Sequence, residues 1–360
     1  MSIKIDSIKH IKLLERRFKL EIEALDEIYL NNKLLKTITL EIINQCNFNC
    51  KHCYLDKKII EMDYDKICKI IDDGRNLGLF EIKLSGGEIT LHKRLVDIIK
   101  YSRQKYINVI LLTNLYKLDN SLIECIKEYG VERVEITLFS LNEKVHDDFV
   151  GLKGALKKTL NNIDILKKIG VNILVKTWAI KSNLDELKFM QKYFKSKDYS
   201  FKIYTQIYSD INGVMKLPRS EFLTNQEYIK ALKYSDISNN RGFPVDNRDN
   251  CFLCDEFSTS AYITSEYNII PCAKYREVID NLNIHSLSEI WKFSEKLKCI
   301  QDYRWIDCKE CINCNVKKYC VRCGAMSTIN GKDFLENTCE TCKLAKIRYS
   351  MYENMEENNV

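Results

Sequence analysis

Three cysteines stand close together near the start of this 360-residue chain, directly after a predicted strand. Cys46, Cys50 and Cys53 are separated by three and then two residues. Three thiolates on one short loop can ligate three irons of a cubane iron–sulfur cluster and leave the fourth iron open to a substrate. A structural zinc site with His52 as fourth ligand would use similar residues. The position of the loop after the strand favours the cluster.

A second, larger group of cysteines lies in the C-terminal third of the chain. Eleven of the 16 cysteines fall between Cys251 and Cys342, several of them in C-x2-C pairs. In a chain without a secretory signal, such clustering indicates metal ligands rather than disulfides. The C-x2-C spacing occurs in zinc ribbons and in iron–sulfur sites, so spacing alone leaves both open. Cys68 and Cys125 stand apart on helical patterns and are expected to be small buried hydrophobic residues.

The bulk composition excludes several classes of protein. Hydrophobic residues make up 45% of the chain and charged residues 29%, as in ordinary globular proteins. No apolar run reaches the ~18 residues of a membrane helix, and the N-terminus MSIKIDSIKHIKLLERR lacks the apolar stretch of a secretory signal. A net charge of +6, scattered among acidic residues, is too small for a nucleic-acid-binding surface. The sequence predicts a cytoplasmic protein without a nucleic-acid or membrane partner.

Short β-type segments alternate with helical patterns in the region that must position the first cysteine loop. Six strands are predicted, at Thr37–Asn44, Phe80–Ser85, Ile107–Thr113, Glu132–Phe139, Val171–Ile180 and Tyr199–Tyr208. An apolar stripe from Leu156 to Ile169 predicts a helix that ends at Gly170. Six strand–helix units predict an α/β fold with a parallel sheet. Six units are too few for a closed eight-stranded barrel, so a partial, open barrel is expected.

The alternation of strands and helices also suggests domain boundaries. The predicted organisation is an N-terminal helical segment at 1–36, a core at 37–210, a linker at 211–250, a small cysteine-rich domain at 251–346 and a polar tail at 347–360. The small domain has too thin an apolar core to fold without help, which agrees with stabilisation by metal.

Several stretches of the first domain resemble the radical S-adenosylmethionine (SAM) superfamily. A C-x3-C-x2-C loop at the end of the first strand of a partial (β/α)6 barrel is that family's signature. The stretch Ser85-Gly86-Gly87-Glu88, which ends the second strand, is similar to the family's GGEP motif, although Ile89 replaces the proline. Glu135–Ser140, followed by His146-Asp147, resembles the family's fourth-strand motif, with Thr137 in place of the usual serine.

The resemblance implies a 4Fe–4S cluster on Cys46, Cys50 and Cys53 and a SAM site beside it. In this family the cluster gives an electron to SAM, and the resulting 5′-deoxyadenosyl radical abstracts hydrogen from a substrate. The implied contacts to SAM are Gly86, Gly87, Glu88, Asn114, Thr137, Ser140 and Lys176. The glycines would let the backbone approach the ligand, and Glu88 would hold the α-ammonium group. Thr137 could instead be satisfied within the sheet, and Lys176 could be a surface lysine.

The C-terminal cysteines resemble the SPASM extension of the same superfamily, which carries two auxiliary 4Fe–4S clusters. The implied ligands of the first auxiliary cluster are Cys254, Cys272 and Cys323, with Cys251 as the fourth. Those of the second auxiliary cluster are Cys311, Cys314, Cys320 and Cys342. Cys323 comes one residue earlier than in the family pattern, and Cys308 and Cys339 remain as alternative ligands.

The resemblance implies an enzyme that modifies a peptide or small protein, because SPASM proteins of this kind mostly do so. The predicted function is maturation of a ribosomally made peptide by hydrogen abstraction, followed by cross-linking or epimerisation. The implied electron donor is a reductant such as flavodoxin or ferredoxin. Because the N-terminal segment is shorter than the recognition domain of many maturases, the peptide's leader is expected to be held by a separate peptide-recognition protein or by the C-terminal domain.

Two other functions are open, and no catalytic base stands out. An anaerobic sulfatase-maturing enzyme is disfavoured because Ala273 occupies the position at which that group has an acidic base. A non-catalytic zinc or electron-transfer module would leave the GGE motif unexplained. The undistinguished candidates for a general base are Asp255, Glu256, Tyr275 and Tyr204.

Overall fold

One nine-stranded sheet organises the chain, with the strands in the order β6-β5-β4-β3-β2-β1-β7-β8-β9. The computed structural model describes residues 24–56, 58–207, 214–238, 244–275 and 277–357. Most of the predicted N-terminal helical segment therefore lies outside the described residues. The strands are β1 (Thr37–Ile43), β2 (Glu81–Gly86), β3 (Asn108–Thr113), β4 (Arg133–Thr137), β5 (Ile173–Trp178), β6 (Ser200–Tyr204), β7 (Ser260–Ile263), β8 (Asn268–Ile270) and β9 (Asp280–Asn281).

Helices connect the strands and cover the sheet. They are α1 (described over 24–31), α2 (Tyr64–Asn76), α3 (Leu95–Gln104), α4 (Asn120–Tyr129), α5 (Glu143–Val150), α6 (Ala155–Lys168), α7 (Leu187–Ser196), α8 (Asn225–Ser238), α9 (Asp255–Thr259), α10 (Leu287–Phe293), α11 (Glu295–Asp302), α12 (Gly324–Ile329) and α13 (Cys339–Glu357). Among the described residues, no helix has the length and apolar character needed to cross a bilayer.

The predicted α/β fold is confirmed. Strands β1 to β6 are all parallel and lie side by side in chain order. Because β6 and β9 end the sheet and do not pair with each other, the barrel is open. The helix predicted from Leu156 ends at Lys168, and Gly170 follows with a φ of +82°.

The core follows from the burial of alternate strand residues against the helices. Ile38, Leu40 and Ile42 of β1 are fully buried in one cluster with Ile67 and Ile71 of α2. The amino end of α2 is capped by Asp63, whose carboxylate accepts from the backbone N–H of Lys66 at 3.1 Å. The carboxyl ends of the parallel strands consequently meet at one edge of the sheet, where the cysteine loop lies.

The sheet crosses the predicted boundary between the core and the small domain. Strand β7 pairs in parallel with β1, with Thr37 opposite Ser260 and Leu40 opposite Ile263. Strands β8 and β9 add antiparallel pairs beyond it. The sheet therefore continues across the predicted domain boundary at residue 251, and β7 covers the edge that β1 would otherwise expose.

The predicted linker and polar tail also differ from the structure. The linker at 211–250 contains α8, and α13 runs through the tail boundary at residue 347 as far as Glu357. Asp236 of α8 and Arg348 of α13 form an ion pair at 3.1 Å, with side chains 1% and 4% exposed. Helices α8 and α13 are therefore packed against each other. Residues 358–360 of the tail lie outside the described residues.

Candidate active site

A cavity of about 290 Å³ lies at the carboxyl ends of strands β2 to β5. All three cysteines of the first motif line it. Of the seven predicted SAM contacts, five line it as well: Gly86, Gly87, Asn114, Thr137 and Lys176. The cysteine loop and most of the predicted ligand-binding residues are therefore brought to one place, and their roles stay predictions.

The cysteine loop is held by backbone hydrogen bonds on both sides. The N–H of Asn49 donates to the carbonyl of Val150 at 2.7 Å, and that of Lys51 donates to Phe149 at 3.1 Å. Within the loop, the N–H of Cys53 donates to the carbonyl of Cys50 at 3.2 Å. These contacts tie the loop to α5 and fix the direction in which the cysteines point.

Two glycines allow the turn after β2 to lie directly against the cysteine loop. Gly86 has a φ of +134°, and a Cβ atom there would collide with the carbonyl oxygen of Ile43. A Cβ on Gly87 would collide with the carbonyl oxygen of Gln45. The N–H of Gly87 instead donates to Ile43 at 2.7 Å. The motif thus joins the ends of β1 and β2 at the cavity wall.

Glu88 does not line the cavity, in contrast to its predicted contact with the α-ammonium of SAM. Its carboxylate is fully buried and accepts from the hydroxyls of Thr113 at 2.6 Å and Thr90 at 2.7 Å. It also accepts from the N–H groups of Thr90 at 3.0 Å and Asn114 at 2.7 Å. Burial raises the pKa of Glu88, and these hydrogen bonds oppose the rise. Glu88 therefore positions the strand end that carries Asn114.

Ser140 also lies away from the cavity. It is fully buried, and its hydroxyl donates to the carboxylate of Glu186 and accepts from the N–H of Asn142 at 2.8 Å. The N–H of Leu141 donates to the same glutamate at 2.9 Å. Ser140 thus helps to fix the turn before α5, and its contact with SAM stays a prediction.

An ion pair on neighbouring strands lies in the cavity wall. Lys176 of β5 donates to Glu135 of β4 at 2.8 Å, and both side chains are largely buried. Burial opposes ionisation of Glu135, but Lys176 and Arg133 outweigh it and lower the pKa of the carboxyl to about 2. Thr137 lies opposite Lys176 in the β4–β5 register. The wall therefore presents a cation, an anion and a hydroxyl.

Aromatic rings form another wall that sequence reasoning missed. The ring of His52 lies 4.9 Å from that of Phe139 and 5.6 Å from that of Trp178. Burial lowers the pKa of His52 to about 4, so the imidazole is neutral at pH 7. Among the described residues, nothing hydrogen-bonds to its buried Nδ1. The position of His52 inside the cysteine motif was the signal that could have revealed this.

A hydrogen-bonded tyrosine pair links the cysteine loop to β7 and was not predicted. The hydroxyls of Tyr54 and Tyr262 lie 3.2 Å apart, and Tyr262 donates to the buried carboxylate of Glu41 at 2.5 Å. Tyr54 lines the cavity. The pair therefore couples the cavity to the strand that extends the sheet toward the cysteine-rich unit.

Among the candidate general bases whose side chains are described, Tyr204 approaches the cavity. The ring of Tyr204 stacks on that of Trp178 at 5.2 Å. Tyr275 donates to Glu277 at 2.6 Å, and Glu256 lies near Thr37, at the opposite edge of the sheet. The side chain of Asp255 lies outside the described part of the chain.

The thiols of seven C-terminal cysteines come together in two groups, the first made of Cys254, Cys272 and Cys323. Burial and the nearby thiols of Cys272 and Cys323 raise the pKa of Cys254 to about 12. Burial and the thiols of a second group raise the pKa of Cys320 to about 12 in the same way. The members of that second group are Cys311, Cys314, Cys320 and Cys342. The ligand assignments themselves stay predictions.

Four other cysteines lie at the margins of these groups. Cys251 is exposed, and its Sγ lies 3.7 Å from the carbonyl oxygen of Asn247. Cys308 is fully buried, whereas Cys339 is exposed. Cys299, which the sequence interpretation did not place, is exposed, with Sγ 3.3 Å from the hydroxyl of Tyr303.

Within the described ranges, no three His, Cys, Asp or Glu side chains converge on one point that could hold a single metal ion. The ligands of a four-iron cluster bind different irons and therefore do not meet at one point.

A comparison with known protein families identifies the domain that contains the cysteine loop. The Radical SAM superfamily profile matches residues 40–192, the span that contains the cysteine loop and the glycine turn. The chain carries a radical SAM domain. Members of this family use SAM and a 4Fe–4S cluster, so the chain is a radical SAM enzyme.

Known relatives of this radical SAM chain differ in how much of it they cover. The AdoMet-dependent heme synthase of Methanosarcina barkeri is 23% identical over 334 residues, which cover 84% of this chain and 94% of that protein. The antilisterial bacteriocin subtilosin biosynthesis protein AlbA of Bacillus subtilis is 29% identical over 179 residues. That match covers 49% of this chain and 40% of AlbA.

Solved structures share the fold along most of the chain. Streptococcus suis SuiB bound to its precursor peptide SuiA has a TM-score of 0.70 at 15% identity, covering 90% of this chain and 80% of SuiB. The anSMEcpe structure with bound AdoMet and a Cp18Cys peptide has a TM-score of 0.61 at 17% identity. It covers 90% of this chain and 99% of anSMEcpe. These similarities establish the fold.

Proposed function

We propose that this radical SAM enzyme cleaves SAM at the cavity and removes hydrogen from a peptide substrate. The reaction class is maturation of a ribosomally made peptide, by cross-linking or epimerisation. The observation that carries the proposal is the convergence of the cysteine loop, the glycine turn and the polar groups of β3, β4 and β5 on one cavity.

The residues of the cavity fit a 4Fe–4S cluster and SAM. Cys46, Cys50 and Cys53 border the space, so three corners of a cluster can be held there. The opposite charges of Lys176 and Glu135 complement a ligand that carries both a carboxylate and an ammonium group, as SAM does. When bound, these groups supply the electron and the hydrogen-abstracting species.

Other side chains of the cavity order the site and exclude water. Asn114 donates to Asn47 at 2.7 Å and so ties the end of β3 to the cysteine loop. The rings of Phe139 and Trp178 cover the cavity with apolar surface, which protects a reactive site from solvent. The neutral imidazole of His52 offers a hydrogen-bonding nitrogen to a ligand without adding charge.

An apolar groove of about 360 Å³ beside the cavity is suited to a peptide. It lies between the end of β6 and α13, and its lining includes Ile207, Met215, Leu217, Phe222, Leu344 and Ile347. Ile207 and Leu217 pack in the same cluster as Phe48, which lines the cavity. Packed apolar side chains therefore connect the groove to the cavity. The bound peptides named for SuiB and anSMEcpe, and the role named for AlbA, agree with this substrate class.

The two C-terminal cysteine groups are proposed to hold auxiliary 4Fe–4S clusters, as the SPASM resemblance implies. Either cluster could accept an electron released on oxidation of the peptide or hold a substrate thiolate. Removal of Cys311 and Cys314 should then abolish peptide modification while SAM cleavage continues. A flavodoxin or ferredoxin would supply reducing electrons, and a separate protein could present the peptide.

The test uses short peptides encoded beside the gene, co-expressed with the enzyme and examined by mass spectrometry. Cross-linking removes two hydrogen atoms, whereas epimerisation in D2O replaces the abstracted hydrogen with deuterium and otherwise leaves the composition unchanged. Phe222→Asp, which places a charge in the groove, should abolish the product, whereas Phe293→Asp at another exposed phenylalanine should not. Unmodified peptides, or equal effects of the two substitutions, would contradict the groove assignment.

A second candidate substrate is an iron tetrapyrrole, because the similarity to the heme synthase spans 94% of that protein. Conversion of an added iron porphyrin, with every peptide left unchanged, would favour it. The sulfatase-maturase alternative has less support, since Ala273 cannot act as a base.

A further inference from the structure

A buried arginine stands, in the sequence, between one cysteine of each C-terminal group. Arg322 follows Cys320 of one group and precedes Cys323 of the other, and only 8% of it is exposed. Its terminal nitrogens donate to the carbonyl of Phe334 at 3.1 and 3.4 Å and to that of Glu336 at 2.7 Å. Its buried Nε has no hydrogen-bond partner among the residues that the structure describes. A buried, charged N–H group without a hydrogen-bond acceptor is costly in free energy, so an acceptor is expected beside it.

The acceptors of Arg322 lie beside the second cysteine group. Phe334 packs in one buried cluster with Cys308, Cys311 and Cys320. Glu336 is followed by Asn337, whose side-chain oxygen accepts from the Sγ of Cys311 at 3.0 Å. The guanidinium is therefore held one residue away from a side chain that contacts a thiol of this group.

A second arginine shows the contrast. Arg248 influences the thiol of Cys320 and lies over the ring of Trp305 at 5.0 Å. Its Nε already donates to Val245 at 3.4 Å and a terminal nitrogen donates to Lys318 at 3.3 Å. The Nε of Arg248 therefore has an acceptor, whereas the Nε–H of Arg322 is a donor for which an acceptor beside the cysteines is expected.

We propose that Arg322 is a positioning residue for the auxiliary cluster held by Cys311, Cys314, Cys320 and Cys342. Its Nε–H donates to a sulfur of that cluster, and its charge raises the reduction potential of the cluster. The inference rests on the proposed function, because the cluster is part of it. Reduction adds one electron and no proton, and a nearby cation with an N–H···S bond favours the more negative, reduced form. The cluster is thereby suited to accept an electron.

The first test is a redox titration with dithionite and mediators, followed by electron paramagnetic resonance of the reconstituted full-length enzyme. At one solution potential, Arg322→Gln should lower the ratio of reduced to oxidised auxiliary cluster about tenfold, equal to about 59 mV for one electron. Arg322→Lys keeps the charge and should have a smaller effect. Arg304→Gln, in the same unit, should have none, since that side chain bonds Asn250 and stacks on Phe252.

The second test detects the hydrogen bond itself. With 15N-labelled arginine, the reduced auxiliary cluster of the wild-type enzyme should show a 15N coupling that Arg322→Lys lacks. No coupling in the wild type would overturn the proposal, even if Arg322→Gln failed to fold. Unchanged potentials in a variant with full iron would overturn this inference alone. An iron content of about four per chain, instead of about twelve for three clusters, would overturn the auxiliary-cluster assignment as well.

Discussion

The buried ion pair between Asp236 and Arg348 is expected to hold α13, and with it the second cysteine group, against the core. Arg348 Nε donates to Asp236 at 3.1 Å, and both side chains are almost completely buried. Met351 and Leu344 of α13 pack on Leu232 of α8 beside the pair. Asp236→Asn keeps the shape of the side chain but removes the counter-charge of the guanidinium.

The cost of this change follows from burial. Removal of one partner of a buried pair destabilises by about 3–5 kcal/mol, because the other charge stays buried after losing this counter-charge. Replacing both residues, with Asp236→Asn and Arg348→Met, should cost less than Asp236→Asn alone, since no buried charge is left. Lys230 lies on α8, as Asp236 does, and pairs with the exposed Asp185. As a control, Asp185→Asn should lower the free energy of unfolding by less than about 1 kcal/mol.

Hydrogen exchange measured by mass spectrometry is the appropriate assay, because loss of the pair should open α13 locally before the whole protein unfolds. A loss of about 3 kcal/mol corresponds to a fall in protection of roughly 100-fold or more for backbone amides of α13. Protection in β1 to β6 should change little. Protection of α13 that is as high in Asp236→Asn as in Asp185→Asn would refute the reasoning, and so would a double variant as unstable as the sum of its parts.

Three further predictions concern the cavity. Burial lowers the pKa of His52 from 6.5 to about 4, so the unfolded chain binds a proton before the folded protein does as the pH falls. The melting temperature should therefore decline from pH 6.5 toward pH 4, and His52→Phe should weaken this decline. Gly87→Ala should abolish SAM binding in equilibrium dialysis, since its methyl group would collide with the backbone of Gln45; retained binding would contradict the close approach. Lys176→Met should raise the SAM dissociation constant at least tenfold, because it removes the cation that lies beside Glu135 in the cavity wall. Lys176→Arg should restore much of the affinity, and equal affinities would contradict a charge contact.

The strands could be predicted because their signals are local. The expected strand Thr37–Asn44 is observed as Thr37–Ile43, and Ile107–Thr113 as Asn108–Thr113. Apolar β-branched runs separated by amphipathic helices carry this information in the sequence itself. Strand β7 could not be predicted in the same way, since its four residues pair with a strand far away along the chain.

The site was predicted as far as its residues lie on one motif. The glycines at the end of β2 lie against the backbone that leads into the cysteine loop, where only glycine fits, and their approach to SAM stays a prediction. The direction of the Glu88 side chain depends on Thr113 of the neighbouring strand, and that of Ser140 depends on Glu186, which starts a distant helix. Such contacts are settled by packing and leave no periodic signal in the sequence.

The central claim is tested most directly by SAM cleavage in the reconstituted enzyme under anaerobic conditions. With dithionite and SAM, the wild-type enzyme should form 5′-deoxyadenosine, and Cys50→Ala should form none. Cys68→Ala, which removes a thiol from α2 outside the cavity, should retain the activity. Intact SAM in the wild type, with zinc bound in place of iron, would contradict the account.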